Sequence, residues 1–183
     1  MKFLSLSIPD IVLIEPTSLG DDRGYFSEIF RKDLLEKKLG YKVSFVQDNE
    51  SKSTKGVLRG LHYQVPPFSQ SKLIRVSYGR IIDIVVDLRK SSPSFGKYTI
   101  VKSIAEELSD TNNRQIFIPH GFAHGFIVLS DTAIVSYKVD NYYSREHERG
   151  IIYNDENLNI EWNFDLKNII VSDKDKAHPA LTE

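Results

Sequence analysis

The sequence predicts a mainly β protein, built as a sandwich or a jelly-roll barrel. Three observations predict it. Short segments rich in β-branched and aromatic residues recur along the 183-residue chain, turn residues separate them at regular intervals, and only one segment has clear helical features. A jelly-roll barrel encloses a cavity, so polar residues at inward-facing strand positions become candidates for a functional site.

Composition indicates one globular domain, spanning residues 1–183. Hydrophobic residues make up 40% and charged residues 27%, and 25 acidic side chains balance 24 basic ones. This balance gives no bulk field that favours nucleic acid or an anionic membrane. No apolar segment approaches the ~20 residues of a membrane span. The absence of cysteine excludes disulfides, thiolate nucleophiles and Cys-based zinc sites, and is compatible with our expectation of a cytoplasmic protein.

The N-terminal part reads as strands around one short helix. The helix is predicted at Asp33–Leu39, because leucines recur on one face, lysines occupy the last turn and Gly40 provides a stop. The other predicted elements are strands at Ile11–Glu15 and Gly24–Arg31, a turn at Gly20–Asp22, extended chain at Phe45–Asn49 and a polar loop at Ser51–Lys55.

The centre of the chain predicts a hairpin. Lys72–Tyr78 and Arg80–Leu88 are apolar strands, and Gly79 between them is a turn signal. Strand alternation places Ile81 and Val85 on one face and their neighbours on the other. Asp83 falls among the apolar residues of the first face. A carboxylate in such surroundings needs a partner.

The remaining elements are again mostly strands. A second hairpin is predicted from His124–Leu129 and Ala133–Val139, around the turn Ser130-Asp131. Beyond Asn141 the chain is polar, with scattered apolar anchors. The other predictions are a loop at Ser91–Ser94, a strand at Gly96–Ile104, a turn at Glu106–Asn113 and a strand at Arg114–Ile118.

Acid–base chemistry is the function that the residue types favour. His62 lies on the apolar strand Arg59–Gln64 beside Gly60, which permits close approach to the backbone. Imidazole exchanges protons near neutral pH, so His62 is either a core histidine or a base. Lys72 is harder to assign to a core, since lysine is rarely buried unpaired, and it suits an oxyanion. Tyr137 is either a packed core residue or a proton donor.

Metal and nucleophilic chemistry fit the sequence less well. Gln64 stands where a His-x-His pair needs its second histidine. His120 and His124 are four residues apart, a spacing that brings ligands together on a helix and not on a strand. We therefore expect no metal. No serine lies in a Gly-x-Ser-x-Gly elbow, which leaves no nucleophile of that type.

Ten motifs in register resemble a known family. They are Asp22–Phe26, Gln47–Asn49, Arg59–Gln64, Gln70–Leu73, Asp83–Arg89, Ser92–Gly96, Ile118–Phe126, Asn141–Tyr143, Glu148–Ile151 and Ser172–Asp175. From about residue 10 to the C-terminus, the sequence resembles the dTDP-4-dehydrorhamnose 3,5-epimerases. The resemblance implies a cupin jelly roll (a double-stranded β-helix) with a short N-terminal helix and an irregular, partly helical C-terminal tail. It also implies a homodimer and a reaction without metal or organic cofactor.

The resemblance implies the reaction and the roles of four residues. The family epimerises C3 and C5 of a nucleotide-diphosphate 4-keto-6-deoxy sugar, converting dTDP-4-dehydro-6-deoxy-D-glucose to dTDP-4-dehydro-L-rhamnose through an enolate. His62 matches the base, and Asp175 the carboxylate that orients it, with Asp173 as a rival for that role. Lys72 matches the group beside the keto oxygen. Tyr137 matches the proton donor.

The resemblance also implies the residues that hold the substrate. Tyr143 matches the residue that stacks on the nucleotide base, and His124 lies by the sugar. In the family, some N-terminal residues reach across the dimer into the partner's site. The remaining substrate-binding matches are Arg23, Phe26, Glu28, Gln47, Asp48, Asn49, Arg59, Glu148 and Lys174.

Other functions stay open at this stage, and three segments depart from the family pattern. The alternatives are a single-centre epimerase, a 3,4-ketoisomerase, a non-catalytic nucleotide-sugar-binding cupin and a metal-dependent cupin dioxygenase. Ile104–Asn113 is longer than the usual turn, Asn154–Asn157 replaces an Asp-Asp-Pro motif, and Asn163–Lys167 lacks a proline. The last two departures bear on the placement of Asp175.

Overall fold

Two antiparallel sheets share one long strand, β7 (Lys72–Asp87), in the computed structural model, which describes residues 1–105 and 114–181. The helices of this part are α1 (Lys32–Leu39) and α2 (Asp173–Lys176), with a 3₁₀ turn at Leu166–Asn168. The other strands are β1 (Lys2–Ser5), β2 (Val12–Glu15), β3 (Ser18–Asp21), β4 (Gly24–Ser27), β5 (Gln47–Thr54), β6 (Leu58–Gln64), β8 (Tyr98–Ala105), β9 (Gln115–Ile118), β10 (Phe122–Val128), β11 (Thr132–Val139) and β12 (Glu148–Gly150).

Strand β7 passes from one sheet into the other. Its first half pairs with β9 and β11, in a sheet of order β1-β2-β9-β7-β11-β5. Its second half pairs with β8 and β10, in a sheet of order β8-β7-β10-β6-β12. The two sheets face each other, which is the arrangement of a jelly roll. The predicted fold class is confirmed.

The predicted hairpin at Gly79 is wrong, because β7 runs through this position. Gly79 has φ 80°, and a side chain there would overlap the Thr132 carbonyl and lie 2.5 Å from Ser130 Oγ. The glycine therefore marks a corner between sheets and not a reversal of direction. A single glycine between two apolar segments looks the same in the sequence whether the chain bends at a corner or reverses its direction.

The second predicted hairpin is also wrong in its pairing. Strands β10 and β11 follow each other in sequence, but both pair with β7, on its second and first halves respectively. The loop between them crosses from one sheet to the other at the β7 corner. There Ser130 Oγ accepts a hydrogen bond from the Arg80 amide at 2.8 Å and donates one to the Thr132 carbonyl at 2.7 Å.

The polar loop predicted at Ser51–Lys55 is instead the end of strand β5. This strand lies at the edge of its sheet and pairs with β11 along its full length, from Gln47 to Thr54. Alternate residues of β5, from Asp48 to Thr54, are exposed on one face of the sheet. Polar residues are tolerated there and hide the strand from a hydrophobicity pattern.

The alternation predicted for β7 is confirmed by three apolar clusters. Ile81 and Val85 face the core between the sheets, whereas Ile82 and Ile84 belong to a second cluster on the outer face. The C-terminal tail covers that outer face with residues such as Trp162. On the outer face of the other sheet, Leu35 of α1 joins Val12, Ile14, Val43, Leu73 and Phe117 in a third cluster.

The predicted helix and tail are confirmed as well. Helix α1 ends at Gly40, which adopts φ 77° and bonds back to the Glu36 carbonyl. The tail is irregular apart from its 3₁₀ turn and α2. Asp155, one of the residues that depart from the family pattern, is buried and accepts hydrogen bonds from the amides of Leu158 at 2.9 Å and Leu181 at 2.6 Å.

The N-terminal hairpin and the lengthened segment differ from the predicted elements. The strand predicted at Gly24–Arg31 ends at Ser27 and forms a separate two-stranded hairpin with β3. The predicted turn at Glu106–Asn113, which makes up most of the lengthened segment, lies outside the described residues. Across residues 1–105 and 114–181, every helix is too short or too polar to cross a membrane.

Candidate active site

A cavity of about 540 Å³ opens between the sheets and the C-terminal tail. Strands β6, β7, β10 and β11 supply its inner wall. A second hollow of about 280 Å³ shares three of the same side chains. The predicted site residues lining the two hollows are Gln47, Asn49, Arg59, His62, Lys72, His124, Tyr137, Tyr143, Glu148, Lys174 and Asp175.

A histidine–aspartate pair joins the barrel to the tail. His62 Nε2 lies 2.8 Å from Asp175 Oδ1, and the Gly60 amide donates to Asp175 Oδ2 at 3.3 Å. Asp175 sits in α2, whose first turn is capped by Ser172 Oγ. The rival Asp173 is solvent-exposed and pairs with Lys176. The structure therefore brings Asp175, and not Asp173, to His62.

The surroundings of Asp175 favour its ionised form. The side chain is only 4% exposed, and burial opposes ionisation, yet the hydrogen bonds from His62 and the Gly60 amide hold the pKa of this carboxyl below its ordinary value. Because Nε2 of His62 is engaged by Asp175, Nδ1 is the ring nitrogen left for another partner.

Lys72 lies beside this pair on β7. Its Nζ donates to the His62 carbonyl oxygen at 3.2 Å. The side chain faces the cavity and keeps partial exposure, but protein surrounds the ammonium group. Burial lowers the pKa of Lys72 to about 8, although the Asp83 and Glu148 carboxylates act in the opposite direction. A substantial neutral fraction at mildly alkaline pH follows.

Asp83 finds its partner across the sheet. His124 on β10 is the register partner of His62, and its Nε2 lies 2.7 Å from Asp83 Oδ1. The direction of this contact departs from ordinary hydrogen-bond geometry. Burial lowers the pKa of His124, partly offset by Asp83. His124 lines the cavity, and Asp83 lies fully buried behind it.

The rim carries a second polar group of residues. Glu148 accepts hydrogen bonds from Tyr143 Oη at 2.8 Å and from Lys174 Nζ at 2.6 Å. Burial opposes ionisation of Glu148, but these two donors keep its pKa below the ordinary value. Burial raises the pKa of Tyr137, so its hydroxyl keeps its proton at neutral pH.

Four predicted substrate-binding residues do not reach the cavity of their own chain. Arg23 and Phe26 lie on the β3–β4 hairpin, with the Arg23 side chain 89% exposed. Glu28 follows the hairpin and pairs with Arg31. Asp48 points away from the cavity because strand alternation sends it to the opposite face from Gln47 and Asn49, and it pairs with Lys138 at 2.8 Å.

One expectation about the glycines changes. An added Cβ at Gly60 would lie 2.5 Å from Gly125 Cα, so the close approach at Gly60 is made by strand β10.

One residue of the site was missed. The sequence reasoning did not select His178, whose ring lies edge-on to that of His62 with centroids 5.6 Å apart. A histidine three residues after Asp175 was the available signal.

The fold and the cavity define a class of protein: a cupin barrel with a histidine–aspartate pair, a lysine and a tyrosine around one cavity, which suits proton transfer. The comparisons give the family within that class. The chain belongs to the dTDP-4-dehydrorhamnose 3,5-epimerase family, whose model matches residues 5–183. The resemblance noted from the sequence is thereby confirmed, as is the expected class of enzyme, an isomerase.

Three similar proteins illustrate the match. A dTDP-4-dehydrorhamnose 3,5-epimerase of Shigella flexneri is 51% identical over 175 residues, covering 96% of this chain and 93% of the relative. The crystal structure of dTDP-6-deoxy-D-glucose-3,5-epimerase RmlC from Legionella pneumophila, in complex with dTDP-4-keto-L-rhamnose, is 44% identical with TM-score 0.89, covering 98% and 92% of the two chains. ChmJ, a 3'-monoepimerase from Streptomyces bikiniensis in complex with dTDP-quinovose, is 31% identical with TM-score 0.86, covering 96% and 86%.

Proposed function

We propose that this chain epimerises C3 and C5 of dTDP-4-dehydro-6-deoxy-D-glucose to give dTDP-4-dehydro-L-rhamnose. The observation that carries the proposal is the 2.8 Å contact between His62 and Asp175, next to Lys72 in the cavity of a member of this family. The C4 ketone acidifies the hydrogens on both flanking carbons. Removal and return of one proton at each carbon is redox-neutral.

The proposed base is His62. Asp175 accepts a hydrogen bond from Nε2–H of His62, which leaves the Nδ1 lone pair to abstract the substrate proton. The charge of Asp175 stabilises the imidazolium that forms. This is the arrangement in which a buried carboxylate holds a histidine in one tautomer.

Lys72 and Tyr137 complete the proposed chemistry. The ammonium of Lys72 stabilises the enolate oxygen that develops at C4, inside a cavity where water screens charge weakly. Tyr137 keeps its proton at neutral pH because burial raises its pKa, and this proton is available for return to the carbon. His124 is the proposed contact to the sugar ring.

The rim residues are the proposed nucleotide-binding part of the site. Tyr143 is 54% exposed, and its ring is available to stack on the nucleotide base. Glu148 and Lys174 form an ion pair beside it. Arg59 is the proposed diphosphate contact, since guanidinium pairs bidentately with phosphate oxygens. Gln47 and Asn49 line the same hollow, and we assign them to hydrogen bonding with the substrate.

Deuterium incorporation tests the proposal directly. The chain is incubated in deuterated water with dTDP-4-keto-6-deoxyglucose, and label at C3 and C5 is followed by NMR. We expect label at both carbons. His62→Asn should abolish exchange and leave dTDP binding intact, because asparagine keeps polarity but cannot take the proton. Persistent exchange in this variant contradicts the role of His62.

A single-centre epimerase is the second candidate function. The observation that favours it is the similarity to ChmJ, a 3'-monoepimerase. Deuterium label at one carbon only, in the same experiment, would establish a single-centre epimerase. A carbonyl moved to a new carbon would indicate a ketoisomerase. Binding of the substrate without any label would indicate a binding protein.

We further propose that the chain acts as a homodimer whose sites are completed across the interface. The β3–β4 hairpin holds Arg23 and Phe26 away from their own cavity, and Phe26 and Leu19 each expose 67% of their surface. Exposed apolar side chains on a projecting hairpin suit a partner surface. In this arrangement, Arg23, Phe26 and Glu28 bind substrate in the partner's site.

Complementation tests the dimer. Arg23→Ala and His62→Asn are each expected to be nearly inactive alone. When co-expressed, mixed dimers contain one site with an intact His62 from one chain and an intact Arg23 from the other, so activity should return. No recovery in isolated mixed dimers contradicts a shared site.

We propose the cytoplasm as the place of action. A nucleotide diphosphate sugar carries charges that oppose passage through a bilayer, so the enzyme has to lie in the compartment that makes its substrate. Cell fractionation with activity measured in each fraction tests this, and activity confined to the membrane or the exported fraction contradicts it.

A further inference from the structure

Three potential metal ligands converge behind the proposed base. One ligand atom from each of His62, Asp175 and His178 lies within 4.8 Å of the others. His62 Nε2 is 2.8 Å and His178 Nε2 is 3.6 Å from the same oxygen, Asp175 Oδ1. His178 is 116 positions from His62 in the sequence, so no local spacing of histidines predicts this cluster.

Gly150 leaves space for the ring of His178, and Nε2 of this ring has no hydrogen-bond partner among the described residues. A side chain at position 150 would overlap the imidazole of His178, so Gly150 on β12 opens the space that the ring fills. The ring is 13% exposed, and within the described residues its Nε2 is buried without a hydrogen-bond partner. A buried imidazole nitrogen aimed at a carboxylate, without a hydrogen bond to it, is available to a metal ion.

We propose that His62, Asp175 and His178 form an inhibitory site for a transition-metal ion of the zinc type. Two imidazole nitrogens and one carboxylate oxygen suit Zn²⁺, Co²⁺ or Ni²⁺ better than Mg²⁺ or Ca²⁺, which prefer oxygen ligands. Three protein ligands leave a fourth tetrahedral position for water.

The distances fit such an ion after small side-chain movements. Bonds of about 2.1 Å in a tetrahedron separate ligand atoms by about 3.4 Å. The separations of 2.8 Å and 3.6 Å at Asp175 Oδ1 lie on either side of that value. The ammonium of Lys174, on the same short helix, is paired with Glu148 at 2.6 Å, which reduces its repulsion of a cation.

Metal binding and catalysis exclude each other at His62. A neutral imidazole carries one proton, and an ion on Nε2 forces that proton onto Nδ1. The nitrogen that faces the substrate then lacks the lone pair that abstraction needs. Inhibition should therefore lower the exchange rate while the nucleotide still binds at the rim. Metal binding stands on the geometry alone, whereas inhibition rests on the proposed role of His62.

Cobalt titration of the tag-free protein tests the site. We expect one Co²⁺ per chain with a visible ligand-field absorption band, displaced by Zn²⁺, and loss of deuterium exchange at the same stoichiometry, reversed by chelation. His178→Ala should weaken metal binding at least about 100-fold, since even residues behind metal ligands change affinity by 10–100-fold. Whatever metal-free exchange rate this variant retains should no longer respond to Zn²⁺.

His120→Ala is the matched control, because His120 also contacts an aspartate, Asp140 at 2.9 Å, but lies half exposed on the surface. This variant should bind Co²⁺ as the unaltered chain does. Equal metal affinity in the His178→Ala and unaltered chains overturns the proposal. So does the absence of the absorption band from the unaltered chain, a result that depends on no variant's folding. Coordination without inhibition supports the site and contradicts His62 as base.

Discussion

Lys72 is the residue whose charge limits the pH range of the proposed reaction. Burial lowers the pKa of Lys72 to about 8, although the carboxylates of Asp83 and Glu148 favour its protonated form. The charge of Lys72 also acts on His124, whose pKa it helps to lower. Lys72 stabilises the enolate only in its charged ammonium form, and not as a neutral amine. Because a lowered pKa means that the proton is lost earlier, the deuterium exchange rate should fall as the pH rises through about 8.

A Lys72→Arg variant checks the origin of this decline. Guanidinium stays charged throughout the accessible pH range, so whatever activity remains in the variant should lose the alkaline decline. A profile with the same midpoint in both proteins contradicts the assignment to Lys72.

The two aspartates of α2 offer a matched pair of variants. Asp175→Asn removes the charge that stabilises the His62 imidazolium and should lower the exchange rate by roughly 10²–10⁴-fold, the range of acid–base contributions. Asp173→Asn, two residues away and solvent-exposed, should leave the rate unchanged. Both should bind dTDP normally by calorimetry. Equal losses of activity in the two variants are incompatible with a specific role for Asp175.

At the level of the elements, the corner of β7 is the position that sequence patterns misread. Gly79→Ala should lower the free energy of unfolding by about 3 kcal/mol or more. Left-handed strain accounts for about 1–3 kcal/mol, and the overlap with the Thr132 carbonyl adds to it. Urea denaturation measures the change.

Gly40→Ala separates these two contributions. Gly40 has φ 77°, close to the 80° of Gly79, but an added Cβ there meets no atom of the described residues within 4 Å. This variant should lose only about 1–2 kcal/mol, the cost of the left-handed backbone conformation for alanine. Similar losses at the two positions contradict close packing as the reason for the glycine at the corner.

Strand pairing explains why both hairpins were misassigned. Hairpin signals are local: two apolar segments around a turn residue look alike whether they pair with each other or with a third strand. In this molecule β10 and β11 pair with the two halves of β7, so the loop that joins them bridges the sheets. The faces of the strands depend only on alternation, and they were predicted correctly.

For the whole molecule, the shared strand predicts cooperative unfolding. Strand β7 contributes to all three apolar clusters, so loss of one sheet exposes the core of the other. We propose that residues 1–183 form one domain. Far-UV circular dichroism and the fluorescence of Trp162, the single tryptophan, should report the same urea midpoint. An earlier fluorescence transition would indicate that the C-terminal tail unfolds separately.

The β class, the faces of the strands, the helix at α1 and the family can all be read from the amino-acid sequence. Alternation and capping are local, and ten motifs in register are readable without coordinates. The sequence also selected His62 and Lys72, which the structure places side by side.

The choice of Asp175 over Asp173 as the partner of His62, and the contact of His178 with His62, become visible only in the folded chain. Side chains more than a hundred positions from His62 reach it because the tail packs on the barrel. Contacts over such separations depend on the whole set of sheet pairings, and no local pattern encodes them.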